Sequence, residues 1–182
     1  LLHSIIKYAK FTQNLFKNQE AMKMSVFAAS DIVEVAIRIE ENGVNFYKFA
    51  EQIAKKEDEK KLFAGLAQAE VAHKKTFEKL FAGMEKSNLQ ESYEGEFGEY
   101  LRAYVDNNLI FTKEIMDKQL AKVTDTTSAL EFAIQRELDS ILYYHEIKKM
   151  VPAAQHDALE KIIEEERKHF QALTAMKKRL AC

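Results

Sequence analysis

Glycine and proline are scarce. Five Gly and one Pro among 182 residues are too few to punctuate a turn-rich β protein, which leaves long helices as the natural alternative. Cysteine is almost absent: the single Cys182 can form no internal disulfide and can build no thiolate-held zinc or iron centre. A reducing, cytoplasmic setting is expected from this. Neither sign of charge dominates, since 27 Lys and Arg against 29 Asp and Glu leave a formal charge of −2. That balance excludes the broad basic surface by which many proteins hold nucleic acid. Long apolar runs are also missing, and none approaches the ~18 residues of a membrane span. The opening stretch LLHSIIKYAKFTQNLF is broken by Lys7, Lys10 and Gln13 and does not form the apolar core of a signal peptide. No nucleic-acid or membrane partner is expected.

What is present is helix-forming sequence in amphipathic order, sized for one domain. Residues 1–24 read as an amphipathic or disordered segment, with Leu2, Ile5, Ile6, Ala9, Leu15 and Phe16 at roughly helical spacing. The chain does not begin with Met, so this end is processed or incomplete, and the metal chemistry argued below is expected to need only residues 25–182. A first long helix runs from about Ser30–Asp31 to about Lys55, on a stripe of Val33, Ala36, Ile37, Val44, Tyr47, Ala50 and Ala54. A short charged turn leads to a second helix, about 58–86, with Leu62, Phe63, Leu66, Ala69, Phe77, Leu80 and Phe81 inward; so short a loop implies an antiparallel hairpin. Residues 87–125 form a long connection, loop-like to Gly98 and helical over about 99–120, able to carry the chain back along a bundle. A third helix starts near Asp125–Ser128, where Ser128 and Glu131 have capping-box spacing, and runs to about Met150. Val151-Pro152 ends it. The fourth, about 153–180, turns Leu159, Ile162, Ile163, Phe170, Leu173 and Met176 inward.

Each of these stripes is interrupted by ionisable residues, and the interruptions repeat. Glu40 lies in the first helix, with Glu70 and His73 as Glu-x-x-His in the second; Glu137 lies in the third, with Glu166 and His169 in the fourth. Glu137 follows Glu40 by 97 residues and Glu166 follows Glu70 by 96, while AIRIEENGVNFY (36–47) aligns with AIQRELDSILYY (133–144). This is one hairpin duplicated. Glu-x-x-His alone is a weak signal. The conjunction is not weak: spacing of three places both side chains on one helix face, and an isolated buried carboxylate is costly unless it is hydrogen-bonded or cation-bound. Four carboxylates and two imidazoles therefore read as a two-metal site. Oxygen donors with one imidazole per ion suit Fe or Mn rather than structural zinc, and four ionised glutamates balance two divalent charges.

The arrangement resembles the ferritin-like di-iron bundle, and over about residues 30–180 it is most similar to the rubrerythrin group, through AIRIEENGVNFY, AIQRELDSILYY and IIEEERKHF. The resemblance implies an all-α fold: a ferritin-like four-helix bundle of two antiparallel hairpins joined by a long helical crossover. It implies two Fe ions per chain, with Mn or mixed Fe/Mn as alternatives. Glu40 and Glu137 would be terminal ligands, Glu70 and Glu166 bridging ligands, and His73 and His169 the nitrogen ligands. Tyr47 and Tyr144, seven residues beyond Glu40 and Glu137, match tyrosines that hydrogen-bond near such sites. Two departures stand out. Ser140, with Gly43 as its first-helix counterpart, occupies the place of an extra glutamate common in rubrerythrins, and the paired CxxC motifs of a rubredoxin domain are missing.

Plainer readings stand beside these. Tyr47 and Tyr144 also fit simple core packing; His145 and His156 read as surface residues, and Glu164 and Glu165 as a solvated face with Lys168. The six Met read as gap-fillers and Cys182 as an incidental thiol. Three functions follow in order. The first is a di-iron oxidoreductase reducing peroxide or O₂ in oxidative-stress defence, with electrons from a separate donor protein such as a rubredoxin. The second is ferroxidase and iron storage, against which the missing fifth helix speaks. The third is a structural bundle with a redox-inert site. A homodimer is expected.

Overall fold

The computed structural model describes residues 27–85, 92–93, 103 and 118–181. The expectations for residues 1–24 and for most of the crossover fall outside these. The described chain is built on four helices: α1 (Ala29–Ile53), α2 (Glu57–Glu85), α3 (Thr126–Ile147) and α4 (His156–Leu180). α1 packs along α2 and α3 along α4, and the two hairpins meet through α1 against α3 and α2 against α4. At 1.5 Å per residue, helices of this length span roughly 33–44 Å, enough for a core at each end and a separate layer between.

The ends of the helices are fixed by local chemistry. Three residues, Ala54 to Lys56, turn the chain from α1 into α2. Both Lys55 N–H and Lys56 N–H donate to one carboxylate oxygen of Glu59, at 3.2 and 3.3 Å, so orphan donors at the start of α2 are met by its own first turn. The Thr126 hydroxyl donates to that same oxygen at 2.7 Å, which pins the start of α3 to the start of α2. Glu59 is buried and was not legible as such from its place in a charged run. α3 is capped three residues earlier than its Ser128–Glu131 spacing suggested. Asp125 is the capping residue: its carboxylate accepts from Ser128 N–H at 2.8 Å, and Ser128 Oγ accepts from Asp125 N–H at 3.2 Å. Asp is as strong a cap as Ser, and here it stands in the extended conformation a cap requires. After Ile147 the chain turns through residues 148–150, and past Pro152 a single 3₁₀ turn, Ala153–Gln155, leads into α4.

One two-stranded antiparallel ladder is also present, β1 (Phe27–Ala28) with β2 (Ser92–Tyr93), pairing Phe27 with Tyr93 and Ala28 with Ser92. It ties the chain just before α1 to residues beyond α2, within a stretch that reads as loop from its Gly and Ser content.

Inside the bundle the apolar residues form two plugs. One contains Ile32, Ala36, Phe77, Leu80, Tyr143, Ile147, Leu159 and Ile163. The other contains Ala50, Phe63, Leu66, Leu130, Ala133, Leu173 and Met176. Burying each large aliphatic or aromatic side chain contributes about 1.5–3 kcal/mol, so the two plugs together can hold an unfavourable polar layer between them. That layer is where every helix has its ionisable interruption. Among the described residues no helix is long and apolar enough to cross a membrane.

Candidate metal centre

Glu40 from α1, Glu70 and His73 from α2, Glu137 from α3, and Glu166 and His169 from α4 converge in that middle layer. All but His169 are buried, and it is nearly so. They form two overlapping groups, Glu40 with Glu70, His73 and Glu166, and Glu137 with Glu70, Glu166 and His169. Within each group one donor atom per residue lies within 4.8 Å of all the others. Glu70 and Glu166 belong to both groups, so these two carboxylates lie between the two positions. The imidazoles face each other, with ring centres 5.4 Å apart and planes at 25°.

Both histidines aim Nδ1 inward. His73 Nδ1 is 3.1 Å from Glu166 Oε1 and 3.5 Å from Glu40 Oε2; His169 Nδ1 is 2.9 Å from Glu166 Oε2 and 3.4 Å from Glu70 Oε1. The tyrosines cross over between hairpins. Tyr47 on α1 donates its hydroxyl to Glu137 on α3, and Tyr144 on α3 donates to Glu40 on α1. Helical core spacing alone would allow these tyrosines to be mere packing; the structure places both against carboxylates of the cluster.

Packing ionisable groups together in a buried layer shifts four of them. Burial first, and then the Glu70 charge, push Glu40 well above the usual carboxylate range. Burial and then Glu166 raise Glu137 to about 8. Burial pulls both imidazoles down, but carboxylates outweigh it: Glu166 and Glu40 around His73, and Glu137, Glu166 and Glu70 around His169, push each up to about 12. Without a cation, protons have to neutralise the cluster. Even so it is not satisfied, because Glu40 Oε2 and His73 Nδ1 are buried with no hydrogen-bond partner. Buried polar atoms left unpaired cost about 1–3 kcal/mol each, and a cation between them removes both penalties. Carboxylate oxygens and imidazole nitrogens with no thiolate suit hard and borderline divalent ions, and the shared Glu70 and Glu166 suit two. The residues present fit a pair of metal ions.

Two neighbours touch the cluster, and a third, at a matching place in the duplication, turns away from it. Gly43 leaves room for Glu70: a Cβ there would stand 3.1 Å from Glu70 Cγ, Cδ and Oε2. Ser140, its counterpart in α3, turns its hydroxyl back to the Arg136 carbonyl at 3.0 Å. Glu165 is not part of a merely solvated face. Its Oε2 lies 2.7 Å from His73 Nε2, on the far side of the ring from the site. The signal for it was available, since an inward-facing histidine ligand needs an acceptor at its outer nitrogen, but adjacency to Glu166 does not reveal which helix it faces. His145 and His156 stand apart from the site: Arg167 lies 3.1 Å from His145 Nε2, and His156 Nε2 is 3.1 Å from the Val151 carbonyl.

The chain matches the family model described as Rubrerythrin over residues 31–177. It is also similar to a crystal structure described as a ferritin-like diiron-carboxylate protein from Thermotoga maritima. The two are 29% identical with a TM-score of 0.57, over 85% of this chain and 97% of that one. No curated protein matches it. A duplicated hairpin, a carboxylate–histidine layer at its centre and a family match spanning all four helices converge on one assignment: the chain belongs to the rubrerythrin family.

Proposed function

We propose that the chain is a non-haem di-iron oxidoreductase that reduces peroxide or O₂. The observation that carries this reading is the pair of overlapping Glu₃His groups sharing Glu70 and Glu166. Glu40, Glu70, His73 and Glu166 would hold one iron, and Glu70, Glu137, Glu166 and His169 the other. When bound, two ferrous ions would supply one electron each, which with two protons reduce peroxide to water.

The chain's own residues set the conditions for this. The two apolar plugs keep water from the layer above and below the site, so that charge interactions within it are strong. Tyr47 and Tyr144 hold Glu137 and Glu40 by hydrogen bonds and keep each in one orientation. Glu70 and Glu166, which belong to both groups, would serve both ions, and the missing side chain at Gly43 leaves free the space that Glu70 would otherwise share with a Cβ. Electrons come from a separate donor protein of rubredoxin type, and the setting is cytoplasmic. A homodimer fits the exposed Leu138 and Leu142, one turn apart on α3, and sedimentation of the loaded protein tests it.

A second reading, ferroxidase and iron handling, draws on Ser140, which stands where an extra glutamate would bring the site closer to a peroxidase. One experiment separates the two. Metal-free protein is titrated anaerobically with Fe(II) and then exposed to peroxide or to O₂, followed by absorption. Saturation at two irons per chain with faster oxidation by peroxide supports the peroxidase. Faster oxidation by O₂ with uptake beyond two supports iron storage. Saturation at two with no oxidation by either leaves a structural bundle, and no saturation near two removes the metal reading.

A further inference from the structure

The two hairpins repeat their ligands but not what stands behind them. A histidine that ligates through Nδ1 must carry its proton on Nε2, and an acceptor at Nε2 fixes that tautomer, holds the ring plane and makes the inner nitrogen a better donor. His73 has such an acceptor in Glu165, at 2.7 Å. His169 Nε2 makes no hydrogen bond among the described residues. The duplication explains why. Glu165 immediately precedes Glu166, and the residue that precedes Glu70 is Ala69, whose methyl group accepts nothing. The antiparallel pairing of α2 with α4 that brings Glu165 to His73 brings Ala69 toward His169.

Two further observations lie on the same side. The His73 side chain is 2% exposed against 11% for His169, so its ring is the better shielded from water. The unpartnered buried atoms, Glu40 Oε2 and His73 Nδ1, both belong to that same group, whereas His169 Nδ1 is engaged by Glu166 at 2.9 Å. An ion entering at either position displaces a proton, but beside His73 it also meets two unpartnered atoms, whereas beside His169 it must displace a formed hydrogen bond.

Resting on the two-ion reading above, we infer that the two metal positions are inequivalent: the position of Glu40, Glu70, His73 and Glu166 fills first, and Glu165 is the positioning residue that makes it so. The Glu165 side chain is 52% exposed and meets His73 at its outer nitrogen, so it acts on the ion only through the His73 ring.

Co(II) is the probe, added to metal-free protein and followed by calorimetry and visible absorption. Wild type should bind two per chain in two resolved steps. Glu165→Ala should weaken the first step by on the order of 10–100-fold, the usual cost of losing such a partner, and leave the second nearly unchanged. Glu165→Gln, which keeps an acceptor oxygen, should retain most of the first-step affinity. Ala69→Glu, which gives His169 the missing acceptor, should strengthen the second step and narrow the gap. Proton NMR at one Co(II) per chain should show one paramagnetically shifted ring N–H, slow to exchange with solvent in wild type and fast in Glu165→Ala. A surface residue serving stability alone would move none of these readouts. Two equal steps in wild type, or an equal loss in both steps in Glu165→Ala, would overturn the inference while leaving the two-ion site standing. Absence of saturable binding near two per chain in wild type would instead overturn the two-ion reading itself.

Discussion

Hairpin α1–α2 and hairpin α3–α4 carry the same three ligand-type residues at nearly the same spacing, and each sends a tyrosine across to the other's glutamate. Around these the halves diverge. Gly43 faces Ser140 in the alignment, Ala69 faces Glu165, Glu41 faces Leu138, and Phe46 faces Tyr143, whose hydroxyl donates to the Ile32 carbonyl at 2.9 Å. The difference teaches which features the site geometry demands twice and which it tolerates once. Donor atoms pointing into the layer are demanded twice. The groups that support them from outside are not, so the two halves should respond differently to equivalent changes.

The largest effect should come from breaking what the halves share. Glu166→Gln removes a carboxylate common to both groups, so metal content should fall from two per chain to none. Glu40→Gln removes one belonging to a single group and should leave one ion bound. Gln keeps the volume in both cases, so packing is held constant. Metal analysis after gel filtration checks this, and equal losses in the two variants would show that Glu166 is not shared.

Next in size is pH. In the metal-free protein Glu137 holds its proton up to about pH 8 when folded, against an ordinary value of 4.5. Between these values the folded form binds more protons than the unfolded, so this contribution to stability is complete below about pH 4.5 and is lost as pH rises toward 8. His73 and His169, raised from 6.5 to about 12, act in the same direction above pH 6.5. The metal-free protein should therefore melt at lower temperature at pH 8 than at pH 5.5. Ions must displace these protons, so their binding tightens with rising pH and the loaded protein should show the opposite trend. Scanning calorimetry at the two pH values, with and without two equivalents of Mn(II), reads both slopes.

The tyrosines test where the halves are alike. Tyr47→Phe and Tyr144→Phe each remove one buried hydrogen bond to a carboxyl group and keep the ring. Each should cost about 1–3 kcal/mol, or several degrees of melting temperature for a domain of this size. The two losses should match, because the bonds are exchanged reciprocally. A loss confined to one variant would place the asymmetry in the helices themselves rather than behind the histidines.

Much of this was readable from residue order. Apolar stripes at helical spacing located all four helices to within a few residues, because core packing and helix period act on the same positions. The six ionisable interruptions marked the central layer, because a carboxylate inside such a stripe is too costly to keep without a cation or a hydrogen bond to offset its burial. What escaped was side-chain direction across helices. Glu165 and Glu59 both sit in charged runs, Glu164-Glu165-Glu166 and Lys55 to Lys61. Nothing local says that one reaches His73 and the other Thr126, 92 and 67 residues away in sequence. The Phe27–Tyr93 pairing escaped for the same reason. Two-residue strands have no periodicity to detect.

The smallest effects should separate Gly43 from Ser140. Alanine at position 43 gains helix propensity of up to about 1 kcal/mol over glycine, but its Cβ would press on Glu70 at 3.1 Å from three of its atoms. Glu70 is confined by His169 and Glu166, so it must give by a few tenths of an ångström within a fixed ligand set. Melting temperature should change little while metal affinity falls by on the order of tenfold, comparable with disturbance of other groups around a ligand. Ser140→Ala removes only a hydroxyl that turns back to its own helix, a bond that does little for helix stability, and it should leave both quantities nearly as they are. Paired Co(II) titrations and melts of the two variants check this. Equal behaviour would mean that Glu70 has slack on the α1 side, and the room left by Gly43 would then have no part in placing it.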